Sequence, residues 1–144
     1  MPDERASVGI VLISHSRSLA EGAADVAGQV SGGTVRLVGV GGTEDSRLGT
    51  SLDALARAVD KVAGPDGVVI LADLGSSVLT ARSYLLEGDP PPTAVMLADA
   101  PFVEGAVAAA VAASTGADLP AVLAAAEEAR GMSKLTPRRS GPAT

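Results

Sequence analysis

The sequence predicts an α/β fold, a three-layer sandwich around a central, mainly parallel four-stranded sheet. Four short apolar segments have the length and character of buried strands. Helical patterns separate these segments, which implies parallel strands joined by right-handed crossovers. Hydrophobic residues make up 47% of the chain but aromatic residues only 1%. The core between helices and sheet is therefore expected to consist of alanine, valine, leucine and isoleucine.

The first strand and the first helix carry the clearest signals. Residues 8–13 are apolar on both faces, which is typical of a strand inside a parallel sheet. Ser18 and Glu21 have the spacing of a capping box, so a helix is expected over 18–30. The complete predicted order is strands at 8–13, 34–40, 68–72 and 93–98 and helices at 18–30, 51–63, 77–87, 102–115 and 118–130.

The middle of the chain is predicted as strand, loop, helix and strand. The second strand, 34–40, is followed by a loop of about ten residues, 41–50. Loops longer than the usual strand–helix connection are often functional. In the helix over 51–63 the apolar side chains fall on one stripe. The third strand ends on Asp73, and a glycine and two serines lead from there into the third helix.

The last part of the chain is predicted as one strand, two helices and a tail. A proline-rich segment, 88–92, breaks the chain before the fourth strand. The final helix is expected to be capped by Asp118, with Pro120 in its first turn. From residue 132 onward no apolar periodicity remains. We therefore expect a single domain over 7–131 and a disordered tail over 132–144.

Composition excludes several classes of function. The net charge of −6 is a poor match for a nucleic-acid partner, whose phosphates attract basic proteins. With no cysteine and a single histidine, a disulfide, a thiol nucleophile and a metal site are not expected, and no cofactor is predicted. No apolar run approaches the roughly 20 residues of a membrane helix. We expect no membrane partner and a cytoplasmic protein.

The candidate chemistry lies where the strands end. His15 follows the first strand and Asp73 follows the third, and in α/β sheets ligands bind at the carboxyl ends of strands. A carboxylate that is hydrogen-bonded to an imidazole orients the ring as a nucleophile. The N-terminus of a helix favours a bound anion. Further hydroxyl and backbone N–H groups on this rim come from Ser14, Ser16, Gly41, Gly42, Thr43, Gly75, Ser76 and Ser77.

Each of these residues also has an ordinary structural interpretation. A lone histidine at a strand end is often a solvated residue, and an aspartate after a strand is often a turn former. The two glycines at 41–42 could belong to a plain connection. Neither the dinucleotide fingerprint nor a Walker loop is present. The rim alone therefore leaves both a covalent and a purely structural role open for His15.

Three motifs occur in order along the chain: Ile13-Ser14-His15-Ser16, Ala72-Asp73-Leu74-Gly75-Ser76-Ser77 and Ala100-Pro101-Phe102-Val103-Glu104-Gly105-Ala106. In their order and spacing they resemble the DhaM family, the phosphoryl-donor subunits of phosphoenolpyruvate-dependent dihydroxyacetone kinases. This family is similar to the mannose-type IIA components of sugar phosphotransferase systems. The resemblance covers about residues 7–130.

The resemblance implies a homodimer that is phosphorylated on His15, with Asp73 behind the ring and Nε2 as the phosphorylated atom. The implied donor is the histidine phosphocarrier protein HPr. The implied acceptor is ADP on the kinase subunit DhaL, which works with DhaK. The residues expected to bind the phosphoryl group are Ser16, Gly41, Gly42, Thr43, Gly75, Ser76 and Ser77.

Two alternative functions stay open at the level of sequence. The first is a mannose-type IIA component that supplies a membrane sugar transporter through the same histidine. The second is a non-catalytic binding module of flavodoxin-like shape, which would bind a small ligand at the same rim without being phosphorylated.

Overall fold

A computed structural model of the protein describes residues 6–42 and 51–135. Its strands are β1 (Val8–Ser14), β2 (Leu37–Gly41), β3 (Gly67–Ala72) and β4 (Val95–Leu97). Its helices are α1 (Arg17–Val30), α2 (Leu52–Val62), α3 (Gly75–Glu87), α4 (Phe102–Ser114) and α5 (Leu119–Glu128), with a 3-10 turn at Ala129–Gly131. The predicted alternation of strands and helices is confirmed.

The sheet has the strand order β2-β1-β3-β4, and every pair is parallel. From β1 the chain moves outward through α1 to β2, and it then returns across β1 to reach β3. The direction of winding therefore reverses between β1 and β3. Ile13 of β1 stands opposite Val40 and Ala72 on its two neighbours, so the carboxyl ends of the three strands lie side by side. A crevice at such a reversal is where open α/β sheets bind ligands.

Helices cover both faces of the sheet, as the three-layer prediction requires. Because side chains alternate along a strand, Ile10 and Leu12 of β1 face α1, α4 and α5, whereas Val11 and Ile13 face α2 and α3. The first of these two cores is rich in alanine, since one stripe of α4 is fully buried with only methyl side chains: Ala106, Ala109, Ala110 and Ala113. The small side chains let α4 lie close to the sheet, which favours close packing in a core almost without aromatic residues.

The structure corrects the predicted start of the first helix. The capping residue of α1 is Ser16, whose backbone is extended (φ −114°, ψ 122°) and whose hydroxyl accepts a hydrogen bond from the Leu19 N–H. The predicted capping box at Ser18 is wrong because Ser18 already lies inside the first turn, on the exposed side.

Three other elements differ from their predicted ranges by two residues or more at their starts, and the remaining differences are of one or two residues. The second strand begins at Leu37 instead of residue 34, and β4 is reduced to three residues that pair with β3. The third helix begins at Gly75, two residues before the predicted start. The predicted residues Gly75 and Ser76 therefore belong to a helical turn and not to a loop.

Two predicted segments fall outside the described residues. These are most of the 41–50 loop, from Thr43 to residue 50, and the tail beyond residue 135. The disordered tail stays a prediction. Among the described residues, no helix combines the length and hydropathy that crossing a membrane would take.

Candidate functional site

The topology places His15 beside Asp73. Both residues follow directly on paired strands, because Ile13 stands opposite Ala72 at the end of the β1–β3 ladder. The Asp73 N–H donates to the Ile13 carbonyl over 3.2 Å, which extends the ladder by one residue. The two predicted catalytic residues thus meet at the point where the sheet reverses its winding.

Asp73 is held by donors on both carboxylate oxygens. Its Oδ2 accepts from the Ser14 hydroxyl at 2.8 Å and from the His15 backbone N–H at 3.2 Å. Its Oδ1 accepts from the Leu74 N–H at 2.7 Å. Burial by itself would raise the pKa of Asp73, but hydrogen bonds from Ser77 and Ser14 and the two backbone N–H groups outweigh it and lower the pKa below 3.8. The side chain is only 8% exposed and is an anion at neutral pH.

The imidazole of His15 is 29% exposed and has two different edges. Its Nδ1 lies 3.5 Å from Asp73 Oδ1 and 3.5 Å from the Ser77 hydroxyl. Its Nε2 contacts the Ser76 hydroxyl at the open side of the rim. An ionised carboxylate can only accept hydrogen bonds, so we assign the ring proton to Nδ1. Nε2 then carries the free electron pair and faces outward.

The start of α3 brings backbone N–H donors to the rim, in the turn whose Ser76 hydroxyl contacts Nε2. The residue before this helix, Leu74, makes no side-chain hydrogen bond to the first turn. The N–H groups at the beginning of an α-helix have no partner within the helix, and the helix dipole adds positive potential there. Gly75 opens the helix with no atom within 4 Å of the place where a Cβ would stand. This turn offers both space and N–H groups to an anion at His15.

Gly41 has a packing role at the site. A Cβ at this position would lie 2.5 Å from the Ser14 carbonyl oxygen and 3.0 Å from the Ser16 carbonyl. Its lack of a side chain lets the end of β2 lie directly against the turn that carries His15. Gly42 follows with a positive φ of 71°, a backbone conformation that favours glycine. Thr43, the third residue predicted in this segment, lies outside the described residues.

The predicted hydroxyls divide between two positions. Ser76 contacts the outward-facing nitrogen, whereas Ser77 is fully buried and lies on the Nδ1 side with Asp73. Ser16 caps α1 with its hydroxyl and donates its N–H to the Ser14 hydroxyl over 2.9 Å. Their predicted part in phosphoryl binding stays a prediction.

One residue at the site received no specific role from the sequence. Ser14 is 0% exposed and contacts both Asp73 and the Ser16 N–H, yet the pattern of residues marked it only as one hydroxyl among several. The available signal was its position, a polar residue that continues the buried strand directly after the apolar segment 8–13. Among the described residues, no group of three or more histidine and carboxylate side chains could hold a metal ion.

The chain is similar to proteins of known family. Residues 9–123 match the model of the EIIA-man family, described as the PTS system fructose IIA component. The phosphoryl donor subunit DhaM of PEP-dependent dihydroxyacetone kinase 2 from Listeria innocua is 36% identical over 108 residues, which cover 72% of this chain and 84% of the relative.

This chain covers a small part of one further relative and nearly all of a solved structure. The PEP-dependent dihydroxyacetone kinase subunit DhaM of Escherichia coli is 35% identical over 120 residues, or 81% of this chain but only 25% of that relative. The chain thus spans about a quarter of that protein's length. A crystal structure of EF1359, a protein of unknown function, superposes with a TM-score of 0.74 at 33% identity and covers 90% of this chain and 99% of that one.

Proposed function

The chain belongs to the EIIA-man family of phosphotransferase-system IIA components, and from that premise we propose that it is a phosphoryl carrier whose intermediate is a phosphohistidine at His15. The observation that carries this proposal is the two-sided imidazole. One nitrogen faces the Asp73 anion and the other faces an open rim lined by Ser76 and the start of α3. This arrangement suits a nucleophile that holds an anionic group for a short time.

The proposed reaction is a transfer between two histidines. His15 Nε2 attacks the phosphorus of a phosphohistidine on the donor, which we infer to be HPr. A new N–P bond forms on Nε2 as the donor's N–P bond breaks, and the donor imidazole leaves with the electron pair. The ring of His15 becomes more positive in this step, and the Asp73 anion behind Nδ1–H stabilises that charge. Donors at the start of α3 stabilise the transferred oxygens, which is the main demand of phosphoryl transfer.

The proposed acceptor is ADP bound to a kinase subunit of the DhaL type, which works with the dihydroxyacetone-binding subunit DhaK. The names of the curated relatives support this choice, since those relatives are phosphoryl donor subunits of dihydroxyacetone kinases. A sugar transporter is the second candidate acceptor, because the matching family model is described as a fructose IIA component. The geometry at His15 is compatible with both.

An acceptor assay separates these two candidates. The protein, labelled on His15 from phosphoenolpyruvate, is mixed either with the DhaL and DhaK subunits, ADP and dihydroxyacetone, or with membranes that contain a mannose-type transporter and its sugar. We expect the label to reach ADP and then dihydroxyacetone in the first mixture and to stay on the protein in the second. Transfer to the sugar alone would contradict the proposed acceptor and leave the carrier chemistry in place.

A homodimer is also part of the proposal. The outer edge of β4 pairs with no strand among the described residues, and an apolar groove of about 570 Å³ lies between this edge and α3. Leu86 is 83% exposed there, next to half-exposed Leu85 and Met96. An open edge strand beside exposed apolar side chains fits pairing with a second copy around a two-fold axis.

Light scattering after gel filtration tests the dimer. Leu86→Asp places a charge in the groove and is expected to lower the measured mass toward that of a monomer. Val30→Asp is the control, because Val30 is also an exposed apolar residue and lies at the last position of α1, outside the groove. A wild-type protein that elutes as a monomer, or a Leu86→Asp variant that stays dimeric, would contradict this interface.

A further inference from the structure

We propose that Ser14 is a positioning residue for the phosphoryl-transfer reaction and that it fixes the Asp73 carboxylate relative to the imidazole of His15. This inference rests on the proposed function for its catalytic consequence. Ser14 is fully buried, and the two hydrogen bonds of its hydroxyl join Asp73 and the Ser16 N–H. Any influence that it has on the reaction must therefore pass through the residues that it holds.

The hydrogen bonds of Ser14 leave its hydroxyl little freedom. Its single proton is donated to Asp73 Oδ2 over 2.8 Å, while its oxygen accepts the Ser16 N–H over 2.9 Å. A hydroxyl has one proton, so the bond to Asp73 sets the direction of the O–H group. The incoming Ser16 N–H then prevents the oxygen from moving away. Ser14 thus ties the carboxylate to the backbone of the turn that carries His15.

The consequence concerns which oxygen of Asp73 faces the ring. Ser14 and the His15 N–H both bind Oδ2, which leaves Oδ1 on the side of Nδ1 at 3.5 Å. Without the Ser14 hydroxyl, Oδ2 would keep one donor from this turn, and the carboxylate could rotate away from the imidazole. The partly buried Ser16 N–H would lose its acceptor as well. The carboxylate and the histidine turn would loosen together.

Ser14 differs in this respect from Ser77. Both hydroxyls bind Asp73, but that of Ser77 also lies 3.5 Å from His15 Nδ1, so its removal changes the ring and the carboxylate together. Among the described residues, the titratable group that faces Asp73 is His15. Ser14 therefore gives the cleaner test of whether the orientation of Asp73 controls the reaction.

The test compares four forms of the full chain: wild type, Ser14→Ala, Ser14→Thr and the control Ser31→Ala. The Ser31→Ala variant also loses a hydroxyl hydrogen bond, the one to the Gly28 carbonyl, but at the opposite end of α1 and away from the site. Rapid-quench measurements give the rate of phosphoryl transfer from phosphorylated HPr. NMR titration of the Asp73 carboxyl gives its pKa in each folded form.

Ser14→Ala is expected to slow phosphoryl transfer by about tenfold to hundredfold, by analogy with the loss of hydrogen-bond partners that orient metal-ligating side chains. It is also expected to raise the pKa of Asp73, because a hydrogen bond to the charged form is lost. Ser14→Thr keeps the hydroxyl and should restore both values, while Ser31→Ala should resemble wild type. If Ser14→Ala does not fold, Ser14→Cys, which has only a weak donor, replaces it.

A folded Ser14→Ala protein with the transfer rate and Asp73 titration of Ser31→Ala would overturn the inference. A failure of wild type to accept the phosphoryl group would overturn the proposed function instead. In that case the Asp73 titration still decides whether Ser14 positions the carboxylate, because it needs no phosphoryl donor.

Discussion

Helices α1 and α3 begin at the same rim on opposite faces of the sheet, yet their first turns are built differently. The start of α1 is closed by side chains, since Ser16 caps it and Ser14 holds the Ser16 N–H. The start of α3 has no side-chain cap. The first turn of α1 therefore helps to place His15, the proposed nucleophile, whereas the first turn of α3 has no side chain bound to its N–H groups and could bind the group that His15 is proposed to carry. A site for a transient anion needs both, because rigid placement and unused donors cannot come from the same turn.

The largest effect is expected when the Asp73 carboxylate behind His15 Nδ1 loses its charge. Asp73→Asn keeps the shape but removes the anion behind Nδ1, and the amide can present a donor to the ring. We expect phosphoryl transfer from HPr to slow by about a hundredfold or more, the range of a positioned acid or base. Asp99→Asn is the control, since Asp99 lies on the same rim but is 92% exposed. Equal rates for the two variants would remove Asp73 from the mechanism.

The next largest effect is expected at the first turn of α3, which has no side-chain cap. Gly75→Pro removes one N–H from the first position of α3, where proline fits a helix, and the extended backbone of Leu74 accommodates it. Gly75→Ala adds only a methyl group in open space and keeps the N–H. We expect the proline variant to transfer the phosphoryl group about tenfold more slowly, the worth of a lost hydrogen bond of about 1.4 kcal/mol. If the alanine variant were slowed as much, the effect would be steric and the N–H would have no role.

A third prediction concerns the packing of Gly41 against the turn that carries His15. Gly41→Ala forces a methyl group against the Ser14 and Ser16 carbonyls, which are backbone atoms and cannot turn aside. We expect a loss of about 1–3 kcal/mol in the free energy of unfolding, as for other overpacked sites. Urea denaturation measures this loss, with Gly22→Ala as the control because open space surrounds that helical position. A Gly41→Ala protein as stable as this control would show that the close approach is not required.

A smaller effect is expected at the cap itself. Ser16→Ala removes the acceptor of the Leu19 N–H and should lower the free energy of unfolding by about 1 kcal/mol, while Ser16→Asn, which can also cap, should lower it less. Thermal unfolding of both variants checks this order. Ser18→Ala is the matched control from the same turn. A larger loss at Ser18 would favour the capping box that the sequence suggested.

The smallest effect is a dependence of stability on pH. Since the pKa of Asp73 is lowered in the folded protein, its stabilising contribution is complete above the unfolded carboxyl value of 3.8 and is lost as the pH falls through the folded value. Urea denaturation from neutral to acid pH should therefore show a steeper loss for wild type than for Asp73→Asn. Curves of identical slope would contradict the lowered pKa.

The position of the two candidate catalytic residues could be predicted from sequence because it depends on topology alone. Apolar strands that alternate with helices must run parallel, and parallel strands bring their carboxyl ends to one edge, so His15 and Asp73 were expected together. The strand order β2-β1-β3-β4 makes them immediate neighbours.

The finer contacts could not be predicted because they depend on distances between segments far apart in the chain. Ser16 and Ser18 are both suitable caps by residue type, and only the direction in which the chain leaves β1 decides between them. Gly41 looked like a phosphate-binding glycine, whereas its close approach to Ser14 and Ser16 is visible only once the strands are paired. The role of Ser14 depends on Asp73, a residue 59 positions away.

The measurement that tests the central claim most directly is phosphorylation of the full chain by phosphoenolpyruvate, the general phosphotransfer enzyme and HPr. Wild type is expected to gain one acid-labile phosphoryl group, mapped to His15 by mass spectrometry under alkaline conditions and assigned to Nε2 by NMR, and His15→Ala is expected to gain none. A wild-type protein that stays unlabelled, or a His15→Ala protein labelled to the same extent, would contradict the assignment of His15 as the phosphoryl carrier.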